Sequence, residues 1–212
     1  MLVLSEIFAS LQGESKYTGT PTTFIRLYGC NLHCKYCDSE YAWKKGKRRN
    51  ISLENLMSMV TQMGNKNVCV TGGEPLIQKD TLPFVYELCY NNYVVSIETN
   101  GCVPIEKDHY ARSFSYCMDI KCPSSGMAKK NCYGNMENLS ARDEIKFVIS
   151  DYNDYIFAKG VLKQYYTLAP IILSPCFNEA GESNAKELAE WMMADKINAR
   201  LGIQLHKILG IK

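Results

Sequence analysis

Short apolar runs rich in β-branched residues recur along the chain, separated by longer segments whose apolar residues repeat at helical spacing. Strands are expected at 23–28, 67–71, 94–98, 115–120, 145–150 and 171–173, with a last one at 202–205. A helix is expected over 53–63, where Ser52 suits the N-cap and Leu53, Leu56, Met57 and Val60 fall on one face. The segments 81–91, 154–165 and 183–199 read the same way. Strands alternating with amphipathic helices are the pattern of parallel α/β architecture. Neither repeat nor linker interrupts it, and 212 residues suit a single domain spanning 1–212. The stretch 123–142 is polar and weakly patterned, and a segment that long without regular structure is expected to serve function, as a lid.

The hydrophobic share of 46% and the charged share of 22% place the chain among folded globular proteins. A net charge of +2 and a pI near 8.0 give no ground for nucleic-acid binding. The one dense basic run, Lys44-Lys45-Gly46-Lys47-Arg48-Arg49, reads as a solvated loop or as an attraction for an anionic electron-transfer partner. The start, MLVLSEIFASLQGES, lacks the basic and apolar regions of a secretory signal, and no segment reaches the ~18–20 apolar residues of a membrane helix. A cytoplasmic protein without membrane association is therefore expected. Ten cysteines in a reducing compartment are thiols or metal ligands rather than disulfides, and Cys69, Cys89 and Cys117, set in apolar runs, belong in the core.

The unusual residues gather where strands end. GCNLHCKYCDSEYAW (29–43) follows the first predicted strand, TGGEP (71–75) the second and ETNG (98–101) the third, while DIKCP (119–123) and LSPC (173–176) close later ones. In a barrel-like βα array the carboxyl ends of the strands form one face, so five motifs converge there. Three thiols at Cys30, Cys34 and Cys37 suit three irons of a cubane cluster with the fourth iron open to an exogenous ligand. The alternative is zinc, with His33 or a distant cysteine as fourth ligand; otherwise His33 is a spacer. Gly72 and Gly73 allow a close backbone approach to a ligand, or simply a turn.

GCNLHCKYCDSEYAW resembles the signature of radical S-adenosylmethionine enzymes, and TGGEP resembles their second signature. SLQGES (10–15), Arg26, CDS (37–39) and the terminal GIQLHKILGIK resemble the 7-carboxy-7-deazaguanine synthase family, from residue 4 to the last. The resemblance implies a partial TIM-like βα barrel of the radical SAM type and a 4Fe-4S cluster on Cys30, Cys34 and Cys37. It implies S-adenosyl-L-methionine held by Tyr36, Asp38, Gly72, Gly73, Glu74, Glu98, Asp119, Ile120, Lys121 and Ser174, and Mg2+ on Ser39. The implied substrate is 6-carboxy-5,6,7,8-tetrahydropterin, met by Leu11, Gln12, Gly13, Glu14, Arg26, Thr71, His206 and the terminal carboxylate of Lys212, with Gln204 close by. The implied reaction is ring contraction to 7-carboxy-7-deazaguanine with release of ammonia, in queuosine and 7-deazapurine biosynthesis. The cofactor-derived radical takes and returns the hydrogen, so no side chain is itself catalytic. A flavodoxin or ferredoxin as electron donor and a homodimer belong to the same expectation.

The residue types agree with these roles. Gln12 and Glu14 match the donor and acceptor edge of a pterin, and Arg26 suits its carboxylate. A hydroxyl at Ser39 suits a hard, water-keeping ion. Glu98 can accept from ribose hydroxyls, while Asp119 and Lys121 share one face of a strand. DIK, however, resembles a triplet of glycyl-radical activases, where many deazaguanine synthases resemble Ser-Pro-Lys. The activase reading leaves SLQGES, Arg26 and the C-terminal tail unexplained, and a purely structural zinc or cluster protein leaves GGEP and ETNG unexplained.

Overall fold

The computed structural model describes residues 1–44, 46–106, 113–177 and 181–212. Its strands are β1 (Leu2–Leu11), β2 (Pro21–Leu27), β3 (Arg49–Ile51), β4 (Asn67–Gly72), β5 (Val94–Thr99), β6 (Phe114–Ile120), β7 (Glu144–Ile149), β8 (Ile171–Pro175) and β9 (Arg200–Leu201). The helices are α1 (Leu53–Met63), α2 (Thr81–Tyr90), α3 (Asn135–Asn138), α4 (Tyr152–Gln164), α5 (Ala185–Asp195) and α6 (Leu205–Leu209). One sheet runs β3-β1-β2-β4-β5-β6-β7-β8-β9. Its β1 pairs are antiparallel and every pair from β2 to β9 is parallel. The sheet ends at β3 on one side and β9 on the other, so the parallel βα array is an unclosed, partial barrel, as expected.

Strand alternation divides the residues between two faces. Ile25 and Leu27, Val68 and Val70, Val95 and Ile97, Met118 and Ile120, and Ile145, Phe147 and Ile149 are buried in the common core, with Leu56 and Val60 of α1 and Tyr155 and Ala158 of α4. The intervening positions, among them Arg26, Thr71, Glu98, Cys117, Asp119, Lys121 and Lys146, face a cleft on the other side of the sheet. Cys69 and Cys117 are buried and Cys89 packs against the core. The Ser52 side chain caps α1, accepting from the Asn55 amide at 3.2 Å, and Gly64 ends it in the left-handed region. Ser52→Ala is expected to cost about 1 kcal/mol, read as a shifted urea midpoint with unchanged slope.

Four expectations are corrected. No strand is expected at the N-terminus, yet β1 is the longest; a register shift between Leu4 and Glu6 breaks the two-residue period that would reveal it. β3 carries exposed Arg49 and Asn50 and also lacks an apolar pattern. The last strand is Arg200–Leu201 rather than 202–205: a side chain at Gly202 would meet Ser174 Oγ at 2.7 Å, and Leu205 opens α6 with its amide on the Gly13 carbonyl, 2.9 Å away. The stretch 123–142 is a packed wall rather than a lid, with Ser125, Asn135, Met136 and Leu139 buried. Around its short helix α3, polar side chains of the stretch and of α4 bond backbone. Asn135 holds the Ile105 amide and the Gly101 and Val103 carbonyls, and Asp154 holds the Ser124 and Ser150 amides. Among the described residues no helix is long and apolar enough to cross a membrane.

Candidate functional site

The carboxyl ends of β2, β4, β5, β6 and β7 open on a cleft of ≈ 1330 Å³. The loop carrying Cys30, Cys34 and Cys37 lines it together with residues 11–14 and the C-terminal segment. The loop is folded by its own sequence. Ser39 begins a short 3-10 turn over Glu40–Ala42, and the Ala42 carbonyl accepts from the Gly29 amide at 2.8 Å, bringing both loop ends together. Donors point at the thiols: the Leu32 amide and Asn100 Nδ2 at Cys30 Sγ (3.4 and 3.7 Å), and Trp43 Nε1 at Cys37 Sγ (3.5 Å). Exposed His33 packs against Trp43, ring centroids 4.5 Å apart and tilted by 33°.

Gly72 and Gly73 line the cleft and also make a close backbone contact within the protein. A Cβ at Gly73 would meet the Gly29 carbonyl oxygen at 2.2 Å and Cys30 Cβ at 2.8 Å; one at Gly72, whose φ is +152°, would meet the Leu27 oxygen at 2.3 Å. The paired glycines thus let the end of β4 lie directly against the root of the cysteine loop. Glu74 fastens the joint from below. Fully buried, its carboxylate accepts from the Leu76 amide (3.0 Å), Thr99 Oγ1 (2.8 Å) and the Asn100 amide (2.6 Å), tying the turn after β4 to the end of β5.

Across the cleft a chain of hydrogen bonds links residues far apart in sequence. Thr71 Oγ1 donates to Glu98 Oε2 (2.9 Å), Gln12 Nε2 donates to Glu98 Oε1 (3.4 Å), and Gln12 Oε1 accepts from the Glu14 amide (3.2 Å). Glu14 in turn accepts from Lys146 Nζ (2.7 Å) and Gln204 Nε2 (2.5 Å). Glu98, expected beside a cofactor ribose, is therefore bonded to Thr71 and Gln12 of the expected substrate set. Beside this chain, Arg26 Nε donates to Glu6 (3.0 Å) and Arg26 Nη1 reaches Ser39 Oγ at 3.5 Å, while Ser39 donates to Asp38 at 2.7 Å. Glu6 also accepts from Tyr41 (2.9 Å) and pairs with Lys212, whose main-chain oxygen accepts from Ser10 at 2.5 Å. The last residue is thereby folded back to the cleft. His206 lies so close to Gly13 that a Cβ there would stand 2.0 Å from Nδ1, so a larger residue would displace the imidazole from this place.

Leu11, Gln12, Gly13, Glu14, Arg26, Tyr36, Asp38, Ser39, Thr71, Gly72, Gly73, Glu98, Asp119, Lys121, His206 and Lys212 all line the cleft with the three cysteines. Ile120, Glu74 and Ser174 do not. Ile120 alternates away from Asp119 and Lys121 into the core, Glu74 is spent on the turn, and Ser174 is covered beneath Gly202. Sequence reasoning placed Asn100, Cys176 and Tyr41 on this face only as members of ETNG, LSPC and the cysteine motif, and it passed over Lys146, a lone cation inside the apolar run EIKFVI that signals an inward position, and the stacked pair Phe8 and Phe24 (5.1 Å).

The donor set fits a polar cofactor. Tyr36 Oη, Asp119 Oδ1, Ser150 Oγ and both polar atoms of Asn184 are buried, line the cleft and have no hydrogen-bond partner among the described residues. Groups left so are costly unless a ligand meets them. Burial pushes the Cys30 and Cys34 thiols up, so their thiolates call for a positive partner, which an iron cluster supplies. Among the described residues no set of three His, Cys, Asp or Glu side chains is gathered at metal-binding distance. What the fold supplies is the loop, its thiols and the donors aimed at them. Burial alone would neutralise Lys121, but Asp119 at 2.9 Å and Cys34 hold it protonated beside the loop.

Burial alone would raise Glu14, but Lys146, Gln204 and His206 bring it down to about 2. Such a carboxylate contributes stability above the ordinary glutamate value of 4.5 that is lost as pH falls toward about 2. Acid titration of unfolding free energy should show wild type losing on the order of 3 kcal/mol through this window that Glu14→Gln does not lose.

Comparison with known proteins gives a consistent picture. Residues 24–116 match the model of the radical SAM superfamily. A 7-carboxy-7-deazaguanine synthase from Koribacter versatilis (strain Ellin345) is 37% identical over 220 residues, covering 97% of this chain and 96% of the relative. Another, from Methanospirillum hungatei JF-1, is 39% identical over 98% of this chain and 85% of its own. The crystal structure of QueE from Escherichia coli superposes with a TM-score of 0.74 at 24% identity, over 97% of this chain and 94% of that one. That of Streptococcus suis SuiB bound to S-adenosylmethionine does so at 0.56 and 12%, over 82% and 47%.

Proposed function

The chain belongs to the 7-carboxy-7-deazaguanine synthase family, within the radical SAM superfamily, and from that membership we propose how its own residues serve the reaction. It is a synthase of 7-carboxy-7-deazaguanine. The reading is a carbon–nitrogen lyase step in which 6-carboxy-5,6,7,8-tetrahydropterin contracts with loss of ammonia. When bound, a 4Fe-4S cluster and S-adenosyl-L-methionine supply the one-electron chemistry and the hydrogen-abstracting radical.

The protein's part is placement and exclusion of water. Cys30, Cys34 and Cys37 would hold the cluster, and Lys121, Asp119, Tyr36, Ser150 and Asn184 offer the cofactor its polar contacts. Arg26 meets the substrate carboxylate by a charge-assisted pair. Ser39, hydrogen-bonded to Asp38 and beside Arg26, would give Mg2+ its one hydroxyl ligand where that carboxylate completes the shell. Gln12, Glu14 and Thr71 meet the donor and acceptor edge of the heterocycle, and the tail with His206 and Lys212 covers it. The observation that carries the reading is the hydrogen-bonded chain Thr71, Glu98, Gln12, Glu14, which faces the cysteine loop across one cleft. An acidic flavodoxin or ferredoxin as donor is supported by Lys44, Lys47 and Arg48 just beyond the cysteine loop. A homodimer is supported by exposed Ile203, Ile208 and Leu209 on the tail.

The test is an anaerobic assay of reconstituted protein with S-adenosylmethionine, reductant, Mg2+ and the carboxytetrahydropterin, followed by absorbance and product mass. Formation of 7-carboxy-7-deazaguanine is expected. Cleavage of the cofactor with the pterin untouched would instead favour a glycyl-radical activase.

A further inference from the structure

Lys146 lines the cleft and bonds Glu14, but it belongs to none of the motifs that the sequence displays. It projects from β7 between Ile145 and Phe147, which are wholly buried on the other face, so alternation alone turns it inward. Its ammonium meets Glu14 Oε2 at 2.7 Å across the cleft, the two residues lying 132 positions apart. The Glu14 amide is tied to Gln12 Oε1 (3.2 Å) and its other carboxylate oxygen to Gln204 Nε2 (2.5 Å), so backbone and both oxygens are constrained. Each oxygen keeps a further lone pair for a ligand.

We propose that Lys146 is a positioning residue: it fixes the Glu14 carboxylate, facing the cleft, as the acceptor for the paired N–H donors of a nitrogen heterocycle. The inference rests on Glu14 being a substrate contact and adds what makes that contact dependable. A buried carboxylate without a cation takes up a proton, and a carboxyl group then offers a donor where the heterocycle also offers donors. Lys146 prevents that mismatch. Its remaining neighbours are Asp119 and Cys117 of β6, Lys121 just after it and Glu98 of β5, while His206 and Gln204 from the tail are the other groups facing Glu14. Asp119 is paired with Lys121 at 2.9 Å and Glu98 with Thr71 and Gln12, so among the described residues Lys146 is the cation in direct contact with Glu14, with His206 acting on it from the tail.

The experiment compares wild type, Lys146→Met, Lys146→Arg, Glu14→Gln and the Lys146→Met/Glu14→Gln double variant. The Glu14 carboxyl is titrated by carbon-13 NMR in ligand-free protein, and pterin affinity is measured by calorimetry from pH 5 to 8. In Lys146→Met the Glu14 titration should move up by about three pH units, into the assayed range, and the pterin Kd should weaken by roughly tenfold or more, worsening as pH falls. Saturated turnover should change little. Lys146→Arg should restore the Kd to within about threefold, and Lys146→Met should add nothing in the Glu14→Gln background. Additive losses in the double variant, or an unmoved Glu14 titration, would overturn the proposal. If Lys146→Met does not fold, a Lys146→Arg protein that keeps Glu14 low yet binds no pterin overturns it equally. Should wild type bind no pterin at all, the substrate reading fails while the NMR titration still decides whether Lys146 controls Glu14.

Discussion

Cys34→Ala protein, reconstituted anaerobically with iron and sulfide, is expected to form no 7-carboxy-7-deazaguanine and to lose the visible absorbance and bound iron of a 4Fe-4S centre. The reason lies in the loop. Three thiols are all that a cubane with an open iron can take from the protein, so removing one leaves two anchors. The neighbouring side chains are engaged elsewhere: His33 packs against Trp43, and the Cys102 thiol donates to the Asn100 carbonyl. The fold should survive, because Cys34 is only partly buried and stands outside the core cluster. Far-ultraviolet circular dichroism like that of wild type, with iron and turnover gone, is the expected pair of readings. Full turnover in this variant would refute the cluster assignment.

Gly73→Ala is expected to be nearly as damaging with the smallest change of side chain. The added carbon would stand 2.2 Å from the Gly29 oxygen and 2.8 Å from Cys30 Cβ, both on the root of the cysteine loop. Neither is the end of a flexible side chain, so backbone must move, and the bonds from the Gly73 amide to Leu27 (3.2 Å) and the Glu74 amide to Gly29 (2.8 Å) must stretch with it. Overpacking of this kind costs about 1–3 kcal/mol. The larger loss is in function, since Cys30 moves relative to Cys34 and Cys37. Iron content and turnover should fall at least roughly tenfold, with a modestly lowered midpoint in urea. Unchanged iron content would show that the glycines serve the cofactor's approach alone.

Much of the site was legible because its chemistry is local. The spacing of Cys30, Cys34 and Cys37 needs only one loop, and the placement of TGGEP, ETNG and DIK after strands needs only the rule that parallel strands end on one face. Arg26, Thr71, Asp119 and Lys121 were within reach of the two-residue period that turns them inward. What escaped had a physical reason in each case. The register shift in β1 removed its periodicity. Glu74 and Ile120 belong to the motifs by sequence, yet one satisfies three buried donors and the other packs in the core. Lys146 looked like a stray charge in an apolar strand because its partner, Glu14, is 132 residues away.

The sequence by itself therefore determined the strand and helix alternation, the cysteine loop and the class of chemistry, since these depend on spacings within a few residues. Only the tertiary structure decided which carboxylates face the cleft and which are spent inside the protein. It alone made the glycines spacers between two backbone segments, and it alone joined β1, β4, β5, β7 and the tail in one hydrogen-bonded chain. Hydrogen bonds and ion pairs act over about 3 Å, and the fold, not the order of residues, sets which groups come that close.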